Sequence, residues 1–130
     1  MRNGKRRALL LWAIALLLLA SCGGKEITYK QISAQEAKEL MDTQEAYTVL
    51  DVRTQAEFAT GHIQGALLIP DFEIEARAEQ ELPDKQRLIL VYCRSGRRSK
   101  LAAEALVKLG YTNVVEFGGI IDWPYGTVTQ

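Results

Sequence analysis

Along this chain, some segments have the apolar pattern of strands, and the segments between them have that of helices. Short apolar runs bounded by turn residues predict strands at 27–32, 47–52, 66–69, 88–92 and 113–117. Between them, apolar side chains recur every three or four positions, which predicts helices after Ser33 and Thr54 and at 71–82 and 100–109. Strands that alternate with helices predict an α/β domain with a mostly parallel central sheet flanked by helices.

Two sequence signals indicate where helices begin. Ser33 is followed three residues later by Glu36, and Thr54 is followed in the same way by Glu57. In such a capping box, the hydroxyl and the carboxylate each accept a hydrogen bond from a backbone N–H at the start of the helix. Gly61 is positioned to end the second of these helices.

The start of the chain follows another pattern. Residues 1–7 are rich in basic side chains, and residues 8–20 form an unbroken apolar run of 13 positions. A helix needs about 20 apolar residues to span a bilayer. A basic start, a short apolar middle and small residues at the end are instead typical of a secretory signal peptide, with an uncleaved anchor helix as the alternative.

The end of this segment, Leu19-Ala20-Ser21-Cys22, resembles a bacterial lipobox, in which the chain is cut before the cysteine and that cysteine is lipidated. The resemblance implies an exported protein that is anchored through Cys22 to the periplasmic side of the bacterial membrane. Gly23 follows where Asp could stand, which favours the outer membrane if the organism has two. We therefore predict a lipoprotein signal peptide at 1–21, a lipidated tether at 22–26 and a folded domain at 27–130.

The charge balance gives no sign of nucleic-acid binding. The chain has 16 basic and 16 acidic residues, but four of the basic ones lie within residues 1–7, so the remainder is mildly acidic. Against this background, the basic residues cluster locally at Arg94, Arg97, Arg98 and Lys100.

Cys93 is the candidate reactive group. The chain has two cysteines, and with Cys22 assigned to lipid, Cys93 has no partner for an intrachain disulfide. Such a leftover thiol is either reactive or a small buried hydrophobe. Cys93 follows the apolar run 88–92, at the carboxyl end of a predicted strand, where parallel sheets bind ligands. The residues after it are Arg94, Ser95, Gly96, Arg97, Arg98 and Ser99.

Three properties of this loop would lower the pKa of the thiol, which is about 8.5 for a free cysteine. Ser95 and Gly96 allow a tight loop whose N–H groups point inward and hold an anion. A helix that opens at Ser99 presents its positive end to the same point. The nearby arginines add positive charge. The same features would bind an anionic substrate and a negatively charged covalent intermediate.

Other chemistries find less support. His62 is the only histidine, and Cys93 has no CxxC partner, so no metal site and no cofactor is predicted. A Cys–His pair stays open, with an imidazole that holds a loop as the preferred interpretation. The chain has neither a Walker loop nor a Rossmann glycine pattern.

Three segments resemble those of the single-domain rhodaneses, which are sulfurtransferases. Residues 50–70 read LDVRTQAEFATGHIQGALLIP, residues 91–99 read VYCRSGRRS, and residues 114–123 read VVEFGGIIDW. In this order they cover nearly the whole domain. The resemblance implies a rhodanese-like fold in which Cys93 attacks the outer sulfur of a donor such as thiosulfate. Sulfite leaves, and Cys93 carries a persulfide that a thiol or cyanide removes.

The resemblance also implies roles for the neighbouring residues. The amides of residues 94–99 would cradle the persulfide, and Arg94 and Arg98 would bind the anionic donor. Arg97 would either join them or remain a solvated charge. The residues expected to support the loop and its rim through hydrogen bonds, an ion pair or packing are Asp51, Arg53, His62 and Trp123.

Loop length argues against the phosphatases that share this fold. Their loop reads Cys-x5-Arg, whereas the sixth residue after Cys93 is Ser99 here, and the last loop arginine, Arg98, is the fifth. The shorter loop suits a sulfur atom. Beside the sulfurtransferase, two functions stay open. One is a non-enzymatic persulfide carrier or thiol sensor that delivers sulfur to a protein partner at the membrane, and the other is an inert structural domain.

Overall fold

The computed structural model describes residues 28–129. The predicted signal peptide at 1–21 and the tether at 22–26, including Cys22, lie outside the described residues. Among residues 28–129, no helix has the length and apolar character needed to cross a membrane.

In the part of the chain that the structure describes, five parallel strands form the central sheet. They are β1 (Lys30–Gln31), β2 (Tyr47–Asp51), β3 (Leu67–Leu68), β4 (Leu88–Cys93) and β5 (Val114–Gly119). Their order across the sheet is β1-β5-β4-β2-β3. Because every pair is parallel, the carboxyl ends of all strands meet at one edge, with the end of β4 in the middle. The predicted α/β architecture with a parallel central sheet is confirmed.

Within residues 28–129, four helices flank the sheet, namely α1 (Ala34–Thr43), α2 (Gln55–Thr60), α3 (Ile74–Glu81) and α4 (Arg97–Lys108). α3 and α4 pack on one face, in a cluster that includes Ile74, Ala78, Ile89, Val91, Ala102 and Leu106. α1 packs on the other face, in a cluster that includes Ala37, Val49, Leu90, Tyr92, Val115 and Phe117. Neighbouring residues of β4 therefore enter different clusters, which explains why that strand is apolar at every position.

Both predicted capping boxes are confirmed. The Ser33 hydroxyl accepts from the N–H of Glu36 at 3.1 Å, and the Glu36 carboxylate accepts from the N–H of Ser33 at 2.8 Å. Thr54 and Glu57 make the same reciprocal pair at 3.2 and 3.4 Å. The signals worked because a capping box is a contact between residues three apart, and it needs no distant part of the chain.

Several element boundaries differ from the predicted ones. The first strand was predicted over 27–32, but β1 pairs with β5 only through Lys30 and Gln31, since it lies at the edge of the sheet. The third helix was predicted over 71–82, whereas a short 3-10 turn precedes α3. The difference that bears on the site concerns α4, which begins at Arg97 rather than after Ser99.

The two leucines of α4 give a matched test of this packing. Leu106 is fully buried, whereas Leu101 is 52% exposed. We expect Leu106→Ala to lower the free energy of unfolding by about 2–5 kcal/mol, because it leaves a cavity in the core. Leu101→Ala should change it by less than about 0.5 kcal/mol. Urea denaturation of the two variants checks this, and equal effects would contradict the assigned faces of α4.

Candidate active site

Cys93 is the last residue of β4, at the carboxyl edge of the sheet, and it is only 1% exposed. The chain reverses direction directly after it. Gly96 has a φ of +108°, in the left-handed region that glycine adopts without a steric penalty. This reversal folds residues 94–96 around the sulfur, so the loop predicted from the sequence does gather around the thiol.

Hydrogen-bond donors surround the sulfur of Cys93. The N–H of Gly96 donates to Sγ at 3.0 Å, and Ser99 Oγ lies 3.4 Å from Sγ. Burial by itself raises the pKa of the Cys93 thiol. Hydrogen bonds from the N–H groups of Ser99, Gly96 and Ser95, and one from the Ser99 hydroxyl when its proton turns towards the sulfur, exceed that effect, so the pKa is lowered. The loop therefore favours the thiolate, which is the nucleophilic form of cysteine.

The early start of α4 has a physical reason. Gly96 is the N-cap residue of the helix, and its left-handed backbone completes the turn without further loop residues. Arg97 and Arg98 consequently belong to the first helical turn instead of the loop. The N–H of Ser99, also in that turn, reaches the sulfur, so the positive end of the helix faces Cys93 as expected from the sequence.

The loop lies directly against the end of β5. A Cβ atom at Gly119 would be 2.0 Å from the carbonyl oxygen of Arg94 and 2.5 Å from the Cα of Ser95. That carbonyl also accepts a hydrogen bond from the N–H of Ile121 at 3.3 Å. Position 119 therefore requires glycine because there is no room for a side chain. Backbone conformation is not the reason, since a φ of −124° is open to any residue.

The three arginines of the site have different surroundings. Arg98 donates from both terminal nitrogens to the Glu57 carboxylate, at 2.7 and 2.8 Å. This pairing lowers the pKa of Glu57 to about 2 and fixes the first turn of α4 against the start of α2. Arg94 and Arg97 are exposed, and neither makes an ion pair with a residue that the structure describes. The donor-binding role expected of Arg98 stays a prediction.

Asp51 and Arg53 form a buried ion pair beneath the site. Arg53 donates to Asp51 at 2.7 Å and to the carbonyl of Gly61 at 2.7 Å. The hydroxyl of Tyr92, the residue before Cys93, donates to the same carboxylate at 2.6 Å. The hydroxyl in turn accepts from the N–H of Ile63 at 3.1 Å. The network ties the end of β2 to the end of β4, so it braces the strand that carries the cysteine.

His62 is part of the packing around α2 and does not contact the sulfur. It is 5% exposed, its ring stacks on Phe58 at 3.7 Å, and its Nδ1 lies 2.9 Å from the Phe58 carbonyl. Trp123 stacks at a tilt on Phe117, and its indole N–H donates to the carbonyl of Gly126. A Cys–His catalytic pair is therefore absent from this arrangement, which agrees with the preferred interpretation.

Glu116 is the site residue that the sequence analysis missed. It lies in β5 and is 2% exposed, and its Oε1 accepts from the Ser99 hydroxyl at 2.6 Å and from the N–H of Gly118 at 2.8 Å. The sequence carried one signal for it, a carboxylate within the otherwise apolar run VVEF. Its partner Ser99 is 17 residues away, and only the fold brings the two together.

The chemistry of the site is that of a single activated thiol. Among residues 28–129, no group of three or more metal-ligating side chains converges. A surface cleft of about 820 Å³ lies at the opposite, amino-terminal edge of the sheet, among residues such as Lys30, Leu88 and Asn113. It contains no nucleophile with converging hydrogen-bond donors, so we assign the chemistry to the Cys93 loop.

Known proteins carry the same arrangement of sequence and fold. Residues 33–123 match the Rhodanese-like domain family. The chain is 41% identical over 73 residues to the thiosulfate sulfurtransferase PspE of Escherichia coli K12, which is 56% of this chain and 70% of that protein. It is 37% identical over 94 residues to the putative sulfur carrier protein YrkF of Bacillus subtilis, which is 72% of this chain and 50% of that protein.

A solved structure gives the same result for the fold. The rhodanese-like domain of the Alr3790 protein from Anabaena superposes with a TM-score of 0.72 at 30% sequence identity. The superposition covers 79% of this chain and 81% of that one.

Gly119→Ala tests whether the contact with β5 shapes the loop. We expect it to lower the free energy of unfolding by about 1–3 kcal/mol, because the new methyl group overlaps the Arg94 carbonyl. The displaced loop should also lose its hydrogen bonds to sulfur, so alkylation of Cys93 shifts to higher pH. Gly65→Ala is the control. Its methyl group meets nothing within 4 Å, and it is strained only by a φ of +80°.

The control should therefore lose about 1–2 kcal/mol of stability and keep the alkylation profile of the wild type. Iodoacetamide labelling across pH, combined with urea denaturation, checks both variants. An unchanged alkylation profile in Gly119→Ala would show that the loop does not depend on this contact.

Proposed function

Because the chain belongs to the rhodanese-like domain family, we propose that it transfers sulfane sulfur from a donor such as thiosulfate through a persulfide on Cys93. The acceptor is a thiol, or cyanide in an assay. The observation that carries this proposal is the set of N–H groups that converges on the buried sulfur of Cys93. Such groups stabilise the anion before reaction and the anionic persulfide after it.

The proposed reaction has two displacements. In the first, the Cys93 thiolate attacks the outer sulfur of thiosulfate, the S–S bond of the donor breaks, and sulfite leaves with the bonding electron pair. The outer sulfur remains on Cys93 as a persulfide. In the second, an acceptor thiolate attacks this sulfur, and Cys93 leaves as a thiolate. Neither displacement needs an electron carrier or a cofactor, because the electrons stay with the sulfur atoms.

The exposed arginines suit an anionic donor. Arg94 and Arg97 flank the loop and have no carboxylate partner among the described residues, so their charge is available to a dianion such as thiosulfate. Arg98 is already paired with Glu57 at 2.7 Å. It would contribute chiefly by holding the first turn of α4, unless the donor displaces the carboxylate.

A second candidate is a sulfur carrier that hands its persulfide to a protein partner without rapid turnover. The observation that favours it is the match to YrkF, which is named a putative sulfur carrier protein. Both functions use the same persulfide, and they differ in whether a small acceptor is able to discharge it quickly. The carrier would deliver its sulfur at the membrane if the chain is anchored there.

The persulfide is directly measurable. After incubation with thiosulfate, we expect the intact mass of the protein to increase by one sulfur atom, because Cys93 retains the outer sulfur of the donor. Cys93→Ser should show no increase, and Cys22→Ser should behave like the wild type. No increase with any sulfane donor would overturn the proposal. A mass increase with rapid thiocyanate production from cyanide indicates the enzyme, and an increase with negligible turnover indicates the carrier.

We also propose that the chain is exported and anchored on the periplasmic side of the bacterial membrane, in the outer membrane if there are two. The support is the sequence of residues 1–26, with its basic start, short apolar run and Cys22 at the predicted cleavage point. A lipid anchor at Cys22 would leave the domain in water, close to the membrane surface.

Mass spectrometry of the chain recovered from bacterial membranes tests the anchor. We expect a chain that begins at Cys22 and carries lipid, released by detergent but not by salt. Cys22→Ala should remain uncleaved and unlipidated, and Cys93→Ser is the control that should be processed normally. A full-length chain in the membrane with an unmodified Cys22 would indicate the anchor helix instead.

A further inference from the structure

Glu116 is a buried carboxylate that the proposed reaction does not yet use. Its neighbours Val115 and Phe117 enter the cluster under α1, whereas its own side chain turns to the face of α4, where it meets Ser99. No cation among residues 28–129 pairs with it. Its partners are the neutral hydroxyl of Ser99 and the N–H of Gly118. A buried carboxylate without a cation is costly, and its position behind the nucleophile suggests a use.

The hydroxyl of Ser99 has one proton and several neighbours that compete for it. Oγ lies 2.6 Å from Glu116 Oε1, 3.0 Å from the carbonyl of Gly96 and 3.4 Å from Cys93 Sγ. The shortest contact is with the carboxylate, so the hydroxyl donates its hydrogen bond to Glu116 when that carboxylate is ionised. The lone pairs of Oγ then face the sulfur, where they accept from a thiol but do not stabilise a thiolate.

The thiolate gains this hydrogen bond only if the hydroxyl turns its proton towards sulfur. That orientation is open when Glu116 holds a proton of its own and donates it to Oγ. The state of the carboxylate therefore decides what the hydroxyl offers to Cys93. A thiolate at Cys93 and an ionised Glu116 would carry negative charges on the two sides of Ser99 Oγ. These charges would repel each other, which disfavours the thiolate while Glu116 is ionised.

We propose that Glu116 is a positioning residue that controls the proton of Cys93 through Ser99, so that the thiol and the carboxylate share one proton. To form the nucleophile, the S–H bond breaks with its electron pair left on sulfur, and the proton passes to Ser99 Oγ. The proton of that hydroxyl passes to Glu116 Oε1 at the same time. The site then holds a thiolate, a hydroxyl and a carboxylic acid, with the same single negative charge as before.

This proposal rests on the proposed sulfur transfer and deepens it. A thiol that is 1% exposed has little contact with water, and His62 is bonded to Phe58 instead. Glu116 supplies an internal destination for the proton. It also keeps Cys93 as a thiol in part of the molecules, which limits unwanted alkylation or oxidation before a donor arrives.

Other charged groups also stand near the loop. They are Arg94, Arg97, Arg98 and Lys100 from the loop and α4, Glu57 from α2, and Asp71 from the turn before α3. The arginines keep their charge throughout the range between about pH 5 and 9. Glu57 stays ionised because Arg98 lowers its pKa to about 2. Lys30 is paired with Val115, so it stands on the sheet face opposite to Glu116.

Glu116→Gln tests the proposal in the full chain that carries Cys22→Ser, so that Cys93 is the one remaining thiol. The amide keeps the acceptor for Gly118, and it cannot remain an anion. We expect the pH midpoint of alkylation by iodoacetamide to fall by about one unit. Alkylation near neutral pH should be several-fold faster, because Ser99 is then free to donate to the thiolate.

The matched control is Glu104→Gln, which removes the same charge from the exposed side of α4 and should leave the midpoint unchanged. In a Ser99→Ala background, the fall in the midpoint caused by Glu116→Gln should shrink by at least half, because the hydroxyl that links Glu116 to Cys93 is then missing. Thermal melting establishes that each variant is folded. A midpoint that stays within about 0.3 units of the parent, or one that rises, would overturn the proposal.

Alkylation needs no sulfur donor, so this test is independent of the proposed function. If thiosulfate adds no sulfur to Cys93 but Glu116→Gln still lowers the midpoint, the sulfur transfer is wrong and the shared proton stands. If the persulfide forms but the midpoint does not move, the sulfur transfer stands and Glu116 is only structural.

Discussion

A buried anion must be compensated, and in this protein three backbone N–H groups and one hydroxyl are placed to compensate it. The sulfur of Cys93 is removed from water, which disfavours its charged form, and the Ser99 hydroxyl together with the N–H groups of residues 95, 96 and 99 reverses that effect. The three N–H groups depend on the shape of the loop. They face the sulfur only while Gly96 keeps its left-handed conformation and the loop lies against the bare Cα of Gly119. The loop connects β4 to α4. The Asp51–Arg53 ion pair helps to hold β4, and the Glu57–Arg98 ion pair helps to hold α4.

Three of the carboxylates near this loop, all within residues 28–129, serve different purposes. Asp51 and Glu57 each pair with an arginine at 2.7 Å, so their charge is neutralised and they act as braces between elements. Glu116 meets only neutral donors. A brace needs a fixed charge, whereas a group that exchanges a proton must be able to lose its charge. Among the described residues no guanidinium pairs with Glu116, and this distinguishes it chemically from the other two.

The sequence predicted elements well where the physical cause is local. Capping boxes and short apolar strands depend on residues a few positions apart, so the starts of α1 and α2 and the body of β4 were correctly assigned. The start of α4 was wrong because a glycine has no side-chain signal for its backbone conformation, and only the packed loop selects the left-handed one at Gly96. The pairing of Arg98 with Glu57 joins residues 41 positions apart, and no periodicity encodes such a distance.

The sequence by itself determined an α/β domain, a cysteine at the end of its central strand and a basic loop too short for the phosphatase pattern. These follow from composition, period and spacing, which are properties of a linear chain. The tertiary structure decided which N–H groups reach the sulfur, which arginines remain unpaired and that Glu116 stands behind Ser99. Parallel strands bring distant residues to one edge of the sheet, and burial then determines what each polar group must bond to. Neither effect exists until the chain is folded.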